Sequence, residues 1–159
     1  MIHGYPGSRS PCWLQNPTLI NLTYVSIRNC ERLQHLPPLG QLHSLQYIYI
    51  INLELVEGVD SLFYGSEKPC ELQYLKVLEI ESMPRCLEWV GLEGKNVFPR
   101  LEMLKVRDCD ALRTLPSVPT SIRHVEIHKA GLLAMPEYFG SSDTTSSPSL
   151  DLALSKLMI

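Results

Sequence analysis

The chain has 159 residues, of which 45% are hydrophobic, enough to fill the core of one solenoidal domain and too few to suggest a second. Its formal net charge of −3 leaves none of the basic excess that a nucleic-acid backbone selects, so nucleic acid is not an expected partner. No stretch reaches the ~18 uninterrupted apolar residues of a membrane span, and the opening MIHGYPGSRSPCWL has no apolar secretory core, so a cytoplasmic chain with access to the nucleus and no membrane partner is expected.

Residues 1–21 read as a partial repeat or edge. Cys12-Trp13-Leu14 and Pro17-Thr18-Leu19-Ile20 look like the return segment of a repeat whose own strand is missing, as in a piece of a longer protein. A solenoid end without a polar cap exposes core, so self-association through an uncapped N-terminal edge is expected. A seven-residue block, apolar at positions one, four and six, then recurs five times. It begins at Leu22-Val25-Ile27 and continues at Leu45-Ile48-Ile50, Leu75-Leu78-Ile80, Leu101-Leu104-Val106 and Ile122-Val125-Ile127. Alternation at positions four and six fits a half-buried strand, and the repetition is that of a leucine-rich repeat. The expected fold is therefore α/β: a short horseshoe arc with about five parallel strands on its concave face and mostly irregular convex returns, spanning residues 22–138.

Block starts lie 23, 30, 26 and 21 residues apart, so the returns vary while the strands do not. Three returns share two apolar anchors before a proline: Leu33 with Leu36-Pro37, Leu112 with Leu115-Pro116, and Leu132 with Met135-Pro136. The longest return carries Phe63-Tyr64-Gly65-Ser66-Glu67-Lys68-Pro69, a turn-rich insertion expected to protrude. Residues 139–159, including GSSDTTSSPS, are expected to form a flexible tail. The cysteine count, five, is odd, and Cys30 and Cys109 share one repeat position, which favours reduced thiols packed under the sheet over a disulfide framework.

With positions four and six inward, positions three, five and seven face outward on the concave side. Row three is Tyr24, Tyr47, Val77, Met103 and His124; row five is Ser26, Tyr49, Glu79, Lys105 and Glu126; row seven is Arg28, Ile51, Glu81, Arg107 and His128. The candidate protein-binding residues are Tyr24, Arg28, Tyr47, Tyr49, Ile51, Glu79, Glu81, Lys105, Arg107, Glu126 and His128. Tyrosine and arginine are favoured at interface hot spots, though tyrosine also covers sheets by propensity alone. The charged residues alternate in sign across strands as ordinary cross-strand pairs do, Glu79 beside Lys105 beside Glu126 and Glu81 beside Arg107.

No catalytic residue, metal ligand set or cofactor-binding residue is expected. His124 and His128 would stand about 13 Å apart on a strand, too far to share a zinc ion. His3, His35 and His43 are scattered and expected on surface turns. Cysteines near Asp108 and Asp110 follow the repeat's own period, so packing explains them without chemistry.

The succession LPPLGQLHSLQYIYI (36–50), GVDSLFYGSE (58–67), LKVLEIESMPRCLEWV (75–90), FPRLEMLKVRDCDALRTLP (98–116) and VPTSIRHVEI (118–127) closely resembles the C-terminal repeats of plant nucleotide-binding leucine-rich-repeat disease resistance proteins of the coiled-coil class. The resemblance runs to Pro136. It implies an immune-receptor module that senses or restrains, with a protein partner: a pathogen effector, a guarded host protein or the nucleotide-binding domain of a receptor. The string Gly91-Leu92-Glu93-Gly94-Lys95-Asn96 has two residues between its glycines where a phosphate cradle needs four, so no ATP site is expected. A ubiquitin-ligase adaptor is the alternative function and would need an F-box-like helical segment, which residues 1–21 do not supply. A truncated remnant without function is the other alternative.

Overall fold

The computed structural model describes residues 1–16, 18–65, 68–132 and 138. Met135-Pro136 and the tail expected over residues 139–159 lie outside the described residues.

The alternating blocks form strands as their pattern requires. β1 is Ile2–His3, β2 Tyr24–Arg28, β3 Tyr47–Ile51, β4 Gly58–Val59, β5 Val77–Glu81, β6 Glu88–Trp89, β7 Met103–Cys109 and β8 His124–Ala130. Six of them make one parallel sheet in the order β1-β2-β3-β5-β7-β8, the leucine-rich-repeat solenoid. Parallel neighbours need crossover connections, and each return supplies one. Between neighbouring repeats the carbonyl at block position two accepts two successive amides from the next block: Thr23 from Gln46 and Tyr47, Gln46 from Lys76 and Val77, Lys76 from Glu102 and Met103, Glu102 from Arg123 and His124.

The strand expected to be missing ahead of β2 is present. Ile2 pairs with Ile27 and His3 with Arg28, so among the described residues the sheet has six strands, and His3 lies in a strand, not on a surface turn. Ile2 is buried and Tyr5 packs against the core. A two-residue strand carries too little pattern to be seen in a sequence.

One position after each strand block the backbone turns left-handed: Gly4 at φ 62°, Asn29 at 53°, Asn52 at 57°, Ser82 at 55°, Asp108 at 49° and Lys129 at 49°. Glycine and asparagine tolerate this region and most side chains resist it. The turn aims the amide at the next repeat. Gly4 donates to the Arg28 carbonyl at 3.0 Å, Asn29 to Ile51 at 3.0 Å, Asn52 to Glu81 at 2.9 Å and Ser82 to Arg107 at 3.0 Å. Side chains join the column: the Asn52 amide donates to Asn29 Oδ1 at 3.0 Å, and Asn29 Nδ2 lies 2.9 Å from His3 Nε2.

The core sits between sheet and returns. Positions four and six supply Val25, Ile27, Ile48, Ile50, Leu78, Ile80, Leu104 and Val106, all buried, and Leu33, Val56, Cys86 and Leu112 meet them from the returns. Beneath the strand ends, the Cys30 thiol donates to the Arg28 carbonyl at 3.3 Å and the Cys109 thiol to Arg107 at 3.1 Å. Burial pushes the Cys109 thiol up to about 11 and the Cys86 thiol up to about 12.

At the start of the insertion in the longest return, Phe63 and Tyr64 fold inward instead of protruding, while Lys68 and Pro69 are exposed and residues 66–67 lie outside the described residues. Ser61–Tyr64 make a 3-10 turn whose start is capped by Asp60 Oδ1 accepting from the Leu62 amide at 3.0 Å. Phe63 and Tyr64 are buried with Trp89 and Phe98. Phe63 meets Trp89 edge-on at 5.2 Å and Tyr64 edge-on at 5.3 Å, a geometry that ring quadrupoles favour. The Trp89 indole donates to the Tyr64 hydroxyl at 3.1 Å, so neither polar atom is orphaned. Extra chain length made room for extra aromatic volume. Gly40 lets the preceding return approach this cluster, because a Cβ there would collide with the Tyr64 carbonyl. Within the mostly irregular returns, β4 and β6 pair in parallel and Glu88 bridges to Thr114.

Candidate protein-binding face

The open face of the sheet is built by strict register. Tyr24, Tyr47, Val77, Met103 and His124 are consecutive partners across β2, β3, β5, β7 and β8. So are Ser26, Tyr49, Glu79, Lys105 and Glu126, and so are Arg28, Ile51, Glu81, Arg107 and His128. Side chains at matching positions in adjacent strands lie about 4.8 Å apart and therefore touch.

Toward β2 and β3 the face is aromatic. Tyr24, 41% exposed, packs its ring 5.4 Å from that of Tyr49 at a 38° tilt. The Arg28 guanidinium lies 6.0 Å from the Tyr49 ring centroid. That guanidinium is held from below, where Arg28 Nε donates to Ser26 Oγ at 2.8 Å. Ser26 was expected on the surface and is instead fully buried, because the large neighbours Tyr24, Arg28 and Tyr49 close over a side chain too small to reach past them. It anchors arginine and offers a partner nothing directly. Tyr47 and Ile51 are half-buried beside this group. Burial, followed by the Glu79 charge, raises the Tyr49 phenol above its ordinary range, so its hydroxyl stays neutral at physiological pH and can donate.

Toward β7 and β8 the face is charged and internally paired. Arg107 grips Glu126 with two nitrogens, Nη2 at 2.7 Å and Nε at 2.8 Å, a short charge-assisted contact. Glu79 lies 4.0 Å from both Lys105 and Arg107, and His124 lies 3.7 Å from Glu126. The hydrogen bond from Arg107 holds the Glu126 carboxyl below the usual range, and the same bond raises Arg107. The pairing is thus partly diagonal. Arg107, in register with Glu81, turns to Glu126 because two nitrogens can bind one carboxylate there. Glu81 and His128 make no ion pair among the described residues.

Among the described residues no group of three His, Cys, Asp or Glu is placed to hold a metal ion, and no helix is long and apolar enough to cross a membrane. The arrangement can present rigid aromatic area beside a fixed cation. Two features of the molecule escaped sequence reasoning. The left-handed column from Gly4 to Lys129 was marked by the small polar residues Asn29, Asn52, Ser82 and Asp108 at one repeat position, and the exposed apolar residues Leu62, Leu87 and Val90 on the outer side had no periodic signal.

Residues 1–53 match the sequence family described as R13L1/DRL21 LRRs. The chain is 30% identical over 141 residues to the Arabidopsis thaliana protein named "Putative disease resistance RPP13-like protein 1", covering 83% of this chain and 13% of that protein. It is 33% identical over 116 residues to "Putative disease resistance protein At3g14460" of the same organism, covering 70% of this chain and 8% of the relative. A Solanum bulbocastanum relative, disease resistance protein RGA2, is 28% identical over 117 residues, covering 70% of this chain and 12% of the relative. The chain therefore spans between 8% and 13% of the length of these curated relatives. No solved structure matches it.

Proposed function

Because this chain is a leucine-rich-repeat region of the plant disease resistance proteins, we propose that it is a protein-recognition module in plant defence and that it binds through the aromatic half of its concave face. Its partner would be a pathogen effector, a guarded host protein or the nucleotide-binding domain of a receptor. The observation that carries this reading is the Tyr24, Tyr49 and Arg28 group, ordered before any partner arrives. Rings that are already stacked and a guanidinium already anchored lose little freedom on binding, which favours affinity. The paired half of the face plays the lesser part, since charges that satisfy each other gain little from a partner and lose hydration. It would serve orientation.

The test is co-purification from plant cells with the chain and its Tyr47→Ala/Tyr49→Ala variant as baits. Truncating hot-spot aromatics commonly costs 2 kcal/mol or more, about thirtyfold in affinity. A specific protein recovered with the parent and lost with a variant of unchanged circular dichroism supports the reading. Equal recovery of that protein by both baits would sink it.

A further inference from the structure

Row seven of the concave face runs Arg28, Ile51 and Glu81 across β2, β3 and β5, each in register with the next. All three are half-buried. Arg28 and Glu81 form no ion pair among the described residues, whereas Lys105, Arg107 and Glu126 on β7 and β8 are all paired. Of the donors on the Arg28 guanidinium, only Nε is engaged in a hydrogen bond, to Ser26 Oγ. An open cation and an open anion therefore stand on either side of one apolar residue.

The spacing of that row selects a shape. Neighbouring strands stand about 4.8 Å apart, which puts Arg28 and Glu81 about 9.6 Å from each other. In an α-helix, residues i and i+7 share a face about 10.5 Å apart with i+4 between them, within about 1 Å of the row. An extended segment laid across the strands repeats its one-sided residues every ~6.7 Å, so its third overshoots Glu81 by about 4 Å. The backbone points the same way: this face offers side chains only, so an extended chain on it would leave its amides and carbonyls unpaired, and a helix satisfies its own. Row three supplies the other flank with Tyr24, Tyr47 and Val77, in register on the same strands. The two rows lie four residues apart, about 13 Å, and a helix with its side chains is about 10–12 Å across.

We propose that the face of β2, β3 and β5 receives an amphipathic α-helix of a partner protein, laid across the strands, with a carboxylate on Arg28, an apolar residue on Ile51 and a lysine or arginine on Glu81. The apolar flank of that helix rests on Tyr24, Tyr47 and Val77. The assignment rests on the concave face being the binding face and adds the shape and charge order of what it binds. A helix carrying any other charge order would strip water from Arg28 or Glu81 without supplying a counter-ion, so the two charges reject wrong partners as well as hold the right one.

The experiment sorts a displayed library of single helices against the full chain, with leucine fixed at i+1, i+5 and i+8 and with i, i+4 and i+7 randomised. Enrichment is expected for an acid at one end of the randomised line, an apolar residue at i+4 and a cation at the other end. Exchanging the acid and the cation within a selected helix should weaken binding about tenfold, because the helix cannot turn end for end without lifting its leucines off Tyr24 and Tyr47. Sorted against Glu81→Lys, the library should replace its cation with an acid. Against Glu81→Gln, which removes the charge and keeps the shape, the preference at that position should vanish. The proposal is overturned if no helix is enriched, if the enriched helices lack the acid, apolar and cation order, or if both Glu81 variants select the same residues as the parent. Its failure is separable from failure of the binding face. A protein co-purified with the parent, lost with Tyr47→Ala/Tyr49→Ala and fully retained by Glu81→Lys overturns the helix and keeps the face, whereas full retention by both variants overturns both.

Discussion

The two sides of this solenoid are organised by different rules. Across the inner sheet one block repeats with fixed register, so Ile48, Leu78, Leu104 and Val125 occupy equivalent buried positions in four successive strands. Across the outer side the same length of solenoid is filled by Leu36 in one return, Phe63 and Tyr64 in another and Trp89 in a third. The inner side is ordered by periodicity and the outer side by volume. A packed interior tolerates either solution provided no void is left.

The largest test strikes the periodic side. Ile80→Asp or Leu104→Asp places an uncompensated carboxylate in the packed sheet, a cost of several kcal/mol against a total stability of about 5–15 kcal/mol. Loss of the folded circular dichroism spectrum is expected, and a folded, soluble variant would refute the buried register. The outer side should prove nearly as essential. Trp89→Ala should cost about 3–5 kcal/mol in urea unfolding, and a cost below about 1 kcal/mol would mean that the aromatic cluster is a decoration on the sheet.

Smaller effects sharpen the contrast. Because Glu126 is held below its ordinary pKa, it contributes stability that is fully present above the unfolded-state value and is lost as pH falls through the folded one. Glu126→Gln should therefore cost under about 1 kcal/mol near neutrality and flatten the acid limb of the stability profile; an unchanged acid limb would dismiss the Arg107 pair as a contributor. In the left-handed column, Lys129 at φ 49° is the residue least suited to its backbone. Lys129→Asn should raise stability by under about 1 kcal/mol, and a destabilised variant would show that the 3.3 Å contact from Lys129 to Asp108 outweighs the backbone cost. Finally, a thiol reagent on the native chain should modify exposed Cys12 and half-buried Cys70 well before Cys30, Cys86 and Cys109.

The inner side was legible in the sequence because a strand's period of two is written residue by residue. All three concave rows fall in the expected register, down to Tyr47 opposite Val77 and Lys105 opposite Glu126. What a register does not specify is how far a side chain reaches or which neighbour it takes. Ser26 is buried by larger residues around it, and Arg107 swings to Glu126 although Glu81 lies opposite. The outer side was misread at Phe63 and Tyr64, where turn residues on both flanks signalled a loop but two large rings needed burial. Turn chemistry told where the chain bends, and hydrophobicity told which way it bends. β1 was missed because two residues hold no period.

The column of left-handed residues from Gly4 to Lys129 carries an evolutionary consequence. Each repeat resets the chain direction with its own residue before its return begins. A length error in one return is therefore absorbed within that coil and never handed to the next, as intervals ranging from 21 to 30 residues between block starts demonstrate. Such a molecule is modular at the level of recombination. A coil gained, lost or exchanged between related genes leaves every other coil in frame, so the outer surface can diversify while the inner scaffold is inherited unchanged.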